Sequence, residues 1–486
     1  MLINVSELTF AYDGSYDNVF ENAGFNIDTS WRLGLIGRNG RGKTTLLRLL
    51  MGELEFSGHI SADVDFEYFP YAVKDADKFA VDVIRDACPW AEDWKIMRET
   101  NLSEDALWRP FNTLSNGEQT KLLLSALFLK DNAFALIDEP TNHLDADSRR
   151  ALGEYLKKKS GFILVSHDRE LLDTCVDHIL SINRSDIEVI NGNFSTWAMQ
   201  TELKESFERT EQAKLKKSVD KLAAASKQAA SWSDKTEKSK YGAENSKADK
   251  GFIGHKAAKM MKRAKGLENR REKELEDMKA LLKNAERQEA LKLHPLEDIS
   301  GRLVELRDVC VRYGDSKINE AVSFEIVPGD RIALCGKNGS GKSSILKLIL
   351  GEGIDCDGTV YKSSRLKISY AQQDTSGLSG TLDDYARKYG TDITLFKTIL
   401  RKLGFDRAQF EKDISDLSAG QRKKVTLARS LSESAHLYIW DEPLNYIDVI
   451  SRMQIEKLII KYRPTLLFVE HDAVFVKNVA TKAVTL

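Results

Sequence analysis

Lys43 and Lys342 each end a glycine-rich loop, GRNGRGKT (Gly37 to Thr44) and GKNGSGKS (Gly336 to Ser343). Each loop follows an apolar, strand-like run and precedes a helix-patterned one. Gly37, Gly40 and Gly42, like Gly336, Gly339 and Gly341, let backbone N–H groups curl around phosphates, with Asn39 and Asn338 inside the turn. The helix that starts there adds its positive end. The lysines would neutralise phosphate charge, and Thr44 and Ser343, each followed by a second hydroxyl residue (Thr45, Ser344), would ligate Mg²⁺. One match could be a chance glycine turn; two in the same strand–helix context argue against it.

The remaining chemistry is also duplicated. Asp138 and Asp441 end apolar strands and suit the acidic position that holds Mg²⁺ and its waters. Glu139 and Glu442 come next and would polarise an attacking water. His167 and His471 could contact the γ-phosphate and orient that water. A lone histidine at a strand end is usually structural, but the spacing repeats: 28 residues from Glu139 to His167 and 29 from Glu442 to His471.

The elements that must position these groups follow one pattern twice, with Gly37 and Gly336 offset by 299 positions. Buried strands at 31–37, 134–137 and 162–165, and again at 331–336, 437–440 and 466–469, alternate with helical periodicity. That predicts α/β domains with mainly parallel sheets over residues 1–196 and 301–486. Residues 197–300 differ. Leu203, Phe207, Leu215, Val219 and Leu222 recur at helical spacing, as do Leu267, Leu275, Met278 and Leu282. The stretch 231–255 contains Gly242, Gly251 and Gly254 and loses the period. A long antiparallel helical hairpin follows, with arms of roughly 30 residues and hence about 45 Å. From Gln212 to Lys265 there are 15 Lys/Arg against 5 Asp/Glu; with the chain at −2 overall, that +10 leaves −12 elsewhere. Such a surplus fits either a solvated helix face or a polyanionic partner, nucleic acid first.

Apolar runs such as Leu122 to Leu129 fall far short of the roughly 18 residues that a membrane span needs. The start, MLINVSELTF, reads as a strand rather than a signal peptide. Five cysteines without a CxxC pair suit free thiols in a reducing cytosol. The expected localisation is cytoplasmic.

LSNGEQ (Leu114 to Gln119) and LSAGQR (Leu417 to Arg422) resemble the signature of ATP-binding-cassette (ABC) ATPases. DEPTNHLD, two cassettes, a helical linker and no membrane domain resemble the ABC-F family over nearly the whole chain. The resemblance implies a monomer whose cassettes pair head to tail around two ATPs. One site would join Lys43, Asp138, Glu139 and His167 to Ser418 and Gly420; the other would join Lys342, Asp441, Glu442 and His471 to Ser115 and Gly117. Tyr12 and Tyr313 fit the position that stacks on adenine, with a core tyrosine as the competing reading.

The chain departs from the family pattern in three places. The glutamine-loop position holds Tyr71 in the first half and Gln373, a further Mg²⁺ contact, in the second; PLNYID replaces PTNHLD; EHD replaces SHD. Tyr71 implies a slower first site. The spacings Tyr71 to Ser115 (44 residues) and Gln373 to Ser418 (45) leave no room for a large extra arm in the first cassette. This resembles the antibiotic-resistance branch, of Vga/Lsa type. It implies ribosome association at the E site, with 23S rRNA and P-site tRNA as partners and no membrane subunit. The hairpin tip, with Trp232, Tyr241, Lys250, Phe252 and Ile253, would reach toward the peptidyl-transferase centre and dislodge lincosamides, pleuromutilins and streptogramin A compounds. Those tip residues could instead merely pack the hairpin end. Competing functions are a transporter ATPase, a chromosome-maintenance ATPase and a housekeeping translation factor of the same family.

Overall fold

A computed structural model describes residues 1–238 except 14–17, 101, 131, 142–143, 145 and 184–186. It also describes scattered residues between 258 and 273, and residues 292–486 except 298, 300, 315, 338 and 406. The chain divides into two units, 1–195 with 289–486, and 196–288. The first unit holds both α/β cassettes.

Each cassette stacks a small antiparallel sheet over a parallel one. In the first, strands Phe20–Asp28, Leu2–Phe10 and Ser57–Ser61 lie side by side. The larger sheet runs Asp65–Phe69, Ala133–Asp138, Phe162–Val165, Arg32–Gly37 and His178–Ile182, all parallel, with Ile187–Asn191 antiparallel at the edge. The second cassette repeats this with Ile368–Ala371, Leu437–Asp441, Leu466–Val469, Arg331–Cys335 and Lys482–Thr485. The central strands are near-continuous apolar runs because helices or the other sheet cover both faces. In Leu437–Asp441 all five residues are buried.

Ile3, Val5, Leu8, Leu33, Leu35, Leu46, Leu136 and Ile163 form the core between the two sheets of the first cassette. A second cluster, including Val81, Ile84, Ile96, Leu107 and Leu122, builds its helical layer. In the second cassette Phe396, Leu400, Val425, Trp440 and Phe468 build the corresponding layer. All five cysteines are free.

A helix that begins at the end of the first unit and continues through the second runs Phe194–Lys238, 45 residues or about 67 Å. It passes through the first eight residues of the stretch read above as irregular. Lys235, Glu237 and Lys238 are good helix formers, and the first glycine comes at Gly242. Residues described between 258 and 273 are also helical. Leu203 and Phe207 of the apolar stripe are exposed, as are Lys214, Lys217, Lys259 and Lys262 of the basic stretch. Trp232 lies in the helix; its side chain, and Tyr241, Lys250, Phe252 and Ile253, fall outside the described residues. Among the described residues no helix is long and apolar enough to cross a membrane.

Candidate active site

The parallel sheet gathers the duplicated chemistry at the carboxyl ends of three adjacent strands, where open α/β sheets bind their ligands. The glycine loop leaves Arg32–Gly37 and enters the helix Lys43–Leu50 through Gly42, which caps it at φ 89°. A Cβ there would lie 2.6 Å from Val19 and 2.8 Å from Phe20, so the position needs glycine on both counts. Gly341 plays the same part before Lys342–Leu350, at φ 88°. Lys43 Nζ is held by the carbonyls of Gly37 (2.8 Å) and Arg38 (3.3 Å) and by Asn39 Oδ1 (3.3 Å). Lys342 Nζ is held by those of Gly336 (2.9 Å) and Lys337 (2.8 Å). Burial pushes both ammonium groups down.

Asp138 and Asp441 sit opposite Val165 and Val469, so each carboxylate strand lies beside its histidine strand. Thr44 Oγ1 donates to Asp138 Oδ2 at 2.8 Å, and Tyr68 OH donates to the same oxygen at 3.1 Å. Ser343 hydrogen-bonds Asp441, whose carboxyl is pushed up by burial. Each hydroxyl–carboxylate pair supplies two hard oxygens and leaves the other positions of an octahedral ion to phosphates and water, which suits Mg²⁺.

Glu139 and Glu442 leave the strands in the left-handed region, at φ 50° and 47°. Their N–H groups still donate to the Val165 (2.9 Å) and Val469 (3.0 Å) carbonyls. A left-handed residue with a long side chain costs about 1–2 kcal/mol, and here the turn aims each carboxylate at its histidine. His167 Nε2 lies 3.2 Å from Glu139 Oε1 and His471 Nε2 3.4 Å from Glu442 Oε1. The first pair lacks hydrogen-bond alignment, leaving Glu139 Oε1 buried without a partner.

The electrostatics of the pairs diverge. Burial and the Asp138 charge push the Glu139 carboxyl up to about 8, against Lys43 and Arg452. Burial, Lys43 and Arg452 push His167 well down. Burial also lifts Glu442, but hydrogen bonds from His471 and Gln373 and the charge of Lys423 outweigh it and hold the carboxyl below the ordinary glutamate range. Strand register makes Tyr71 the counterpart of Gln373, since Phe69 pairs with Ile137 as Ala371 pairs with Trp440. Yet Tyr71 turns away: its OH donates to the Leu123 carbonyl at 3.3 Å and its ring packs on the helical layer. Gln373 is placed on Glu442.

The first site is completed by the second cassette. A cleft of about 580 Å³ is lined by Tyr12, Lys43, Thr44, Asp138, Glu139 and His167 on one wall and by Ser418, Gly420, Phe405 and Tyr446 on the other. Asn39 Nδ2 donates to the Tyr446 carbonyl at 2.7 Å, and its N–H reaches Asp448 Oδ2 at 3.4 Å. A Cβ on Gly420 would lie 2.7 Å from the Tyr446 carbonyl, so close approach demands glycine. Ser418 and Ser115 cap the signature helices Ala419–Ser432 and Asn116–Phe128 in full capping boxes, aiming helix N-termini outward. Lys424 Nζ pairs with buried Asp448 at 2.8 Å; that charge outweighs burial and keeps the carboxyl well below its usual range.

For the second site the structure describes the loop, carboxylates and histidine of one cassette and the Ser115–Gly117 cap of the other. Asn338, Asn142, His143 and Asp145 fall outside the described residues. Tyr12 OH lies 2.8 Å from Thr45 Oγ1 and Tyr313 OH 3.1 Å from Ser344 Oγ. At 46 and 53 % exposed, both tyrosines stand beside their loops rather than in a core. Sequence reading missed Phe405, Gln409, Lys424 and Tyr446, which reach the first cleft across the cassette interface. Of these only Lys424 and Tyr446, adjoining recognised motifs, carried any local signal.

The ABC transporter family profile matches residues 20–142 and 319–445. Ribosome protection protein VmlR of Bacillus subtilis is 30% identical, covering 98% of this chain and 84% of that protein. Erythromycin resistance ATP-binding protein MsrA of Staphylococcus epidermidis is also 30% identical, over 93% and 91%. Among solved structures, archaeal ribosome recycling factor aABCE1, bound to stalk protein aP1, superimposes with a TM-score of 0.63 at 18% identity, over 99% of this chain and 87% of that one.

Proposed function

This chain belongs to the ABC ATPase family and, within it, to the ABC-F branch, and from that premise we propose that it is a ribosome-protection factor. In this reading it closes around ATP, binds the ribosomal E site in that form and leaves on hydrolysis. While bound, it displaces lincosamides, pleuromutilins and streptogramin A compounds from the peptidyl-transferase centre. The observation that carries the reading is the first cleft, whose walls come from both cassettes: a nucleotide held there favours the closed arrangement and its loss favours opening.

Lys43 and Lys342 would bind the phosphates, with the N–H-lined turns and the Ser418 and Ser115 caps. Thr44 with Asp138, and Ser343 with Asp441, would hold Mg²⁺, which would neutralise developing charge on the transferred phosphoryl group. Glu139 and Glu442 would take the proton of the attacking water, His167 and His471 would fix its position, and Tyr12 and Tyr313 would cover the adenine. The basic stretch 212–265 would meet rRNA and P-site tRNA, and the residues 232, 241, 250, 252 and 253 would act at the drug site.

Glu139→Gln with Glu442→Gln should keep ATP binding, abolish turnover and lock the protein on ribosomes, read by co-sedimentation through sucrose with ATP. Failure of the double variant to co-sediment while the parent does would end the clamp reading. Inhibitory concentrations in a drug-sensitive host, with and without the chain, test protection. Ribosome binding without any change in susceptibility would point instead to a housekeeping translation factor.

A further inference from the structure

Arg169 directly follows His167 and Asp168, yet its guanidinium is spent on the other cassette. Nη1 donates to Glu456 Oε2 at 2.8 Å, and Nη2 lies 3.4 Å from both carboxylate oxygens of Asp472. Both ends are buried, Arg169 at 5 % exposed and Asp472 at 4 %. Asp472 is the residue after His471, and it caps the helix Ala473–Val479 by accepting the Phe475 N–H at 2.9 Å. Arg452 meets the same carboxylate at 3.3 Å, rests its Nε on the Ile447 carbonyl at 2.9 Å and lends its charge to Glu139 and His167. A continuous run of buried charge therefore joins the Glu–His pair of one site to the histidine loop of the other.

The connection is not mutual. Asp168 mirrors Asp472 in its local contacts: it caps Arg169–Cys175 through the Leu171 N–H at 3.0 Å and meets Arg149 Nη1 at 3.5 Å. Arg149 Nε rests on the Leu144 carbonyl at 3.0 Å, as Arg452 rests on Ile447. But the residue matching Arg169 is Ala473, which has no group that could reach back. Among the described residues, Asp168 meets a guanidinium only from its own cassette, whereas Asp472 meets one from each side.

We propose that Arg169 is a positioning residue for hydrolysis at the second site: anchoring Asp472 from across the interface, it holds the turn that carries His471 against Glu442 only while the cassettes are closed. This rests on reading Glu442 and His471 as hydrolytic residues. When the cassettes part, Asp472 is left with the guanidinium of Arg452 alone, as Asp168 here has that of Arg149 alone among the described residues. Parting the cassettes takes both carboxylates away from Arg169, so closure and the seating of His471 are tied together.

The test is a double-mutant cycle on steady-state phosphate release by the full chain. Arg169→Ala should lower kcat about tenfold with KM changed less than twofold, as expected for an interaction that matters in the reacting complex. Asp472→Asn should do the same, and the double variant should be no worse than the poorer single one. Arg169→Lys, which keeps the charge but not the fork, should recover part of kcat, and also serves if the alanine variant folds poorly. Additive losses for the 169–472 pair, or a raised KM at unchanged kcat, would reduce Arg169 to an interface contact and overturn the proposal. Glu442→Gln run alongside separates the failures. If it leaves turnover intact, the hydrolytic reading itself is wrong; if it abolishes turnover while the cycle is additive, only the role of Arg169 falls.

Discussion

Glu139 and Glu442 leave matching strands at almost the same left-handed φ and face their histidines at 3.2 and 3.4 Å. One carboxyl is nevertheless pushed up to about 8 while the other is held below the ordinary range. The backbone does not separate them; the depth of burial and the neighbouring groups do. At the second site Gln373 donates to the carboxylate, and buried Lys423, fixed to the Gln372 carbonyl at 3.1 Å, adds a positive charge. At the first, Tyr71 has withdrawn into the helical layer and Thr120 stands where Lys423 would be. Two sites built on one backbone plan can thus differ in how readily each base accepts a proton at neutral pH.

Four experiments test that contrast. The largest effect should come from the bases themselves. At pH 7 Glu442→Gln should cost about 100-fold in phosphate release, within the range for a general base, while Glu139→Gln should cost far less. Equal losses would count against inequality.

Next is pH. A base must be ionised, so first-site turnover, read in Glu442→Gln, should climb roughly tenfold from pH 7 to 9 as a group with a pKa of about 8 deprotonates. Glu139→Gln should be nearly flat over that range. Stability runs the other way: with its folded pKa raised, Glu139 contributes most below its ordinary pKa and loses that contribution as pH rises through about 8. Melting of the parent across pH 6 to 9 should therefore fall more than that of Glu139→Gln.

A smaller effect should follow from making the second site resemble the first. Gln373→Tyr with Lys423→Thr removes a donor and a charge, so the activity of Glu139→Gln carrying both changes should acquire a rising limb above pH 7. An unchanged profile would mean that the neighbours do not set the difference.

The smallest concerns a paired exchange. In the first cassette Thr141 and Ser166 hydroxyls lie 3.4 Å apart. At the matching positions Leu444 has lost the hydroxyl, and the Glu470 carboxylate instead accepts the Leu444 N–H at 2.7 Å. Glu470→Ser should strand that N–H at about 1–2 kcal/mol, seen as a melting shift of a few degrees, and adding Leu444→Thr should recover part of it.

Much of this was legible because phosphate chemistry is written in contiguous runs. The loops, the Asp–Glu pairs and the histidines each depend on a strand end and the turn that follows, so local pattern sufficed. The Tyr71/Gln373 substitution was equally plain in sequence, although only the contacts of Tyr71 with the helical layer show that it turns away. What escaped depends on contacts hundreds of residues apart. Phe405, Gln409 and Tyr446 line a cleft whose loop begins at Gly37, and Arg169 finds its partners 287 and 303 positions on. No local period marks such residues. In sequence the EHD triplet is only a departure from SHD, because its pairing with Leu444 is visible only where two strand ends lie side by side.

Arg169 reaches Asp472 while, among the described residues, no guanidinium of the second cassette meets Asp168, yet free energy does not respect that one-sidedness. If nucleotide in the second site steadies the loop carrying Asp472, it tightens the grip on Arg169 and raises the first site's affinity. Occupancy of the first must then raise affinity at the second by the same factor, because equilibrium coupling is reciprocal however the contact is drawn. The coupling constant cannot reveal which side owns the contact; rates can. A comparison of binding constants would find the same coupling factor measured from either site, and the one-sidedness of the contact would appear in which phosphate leaves first.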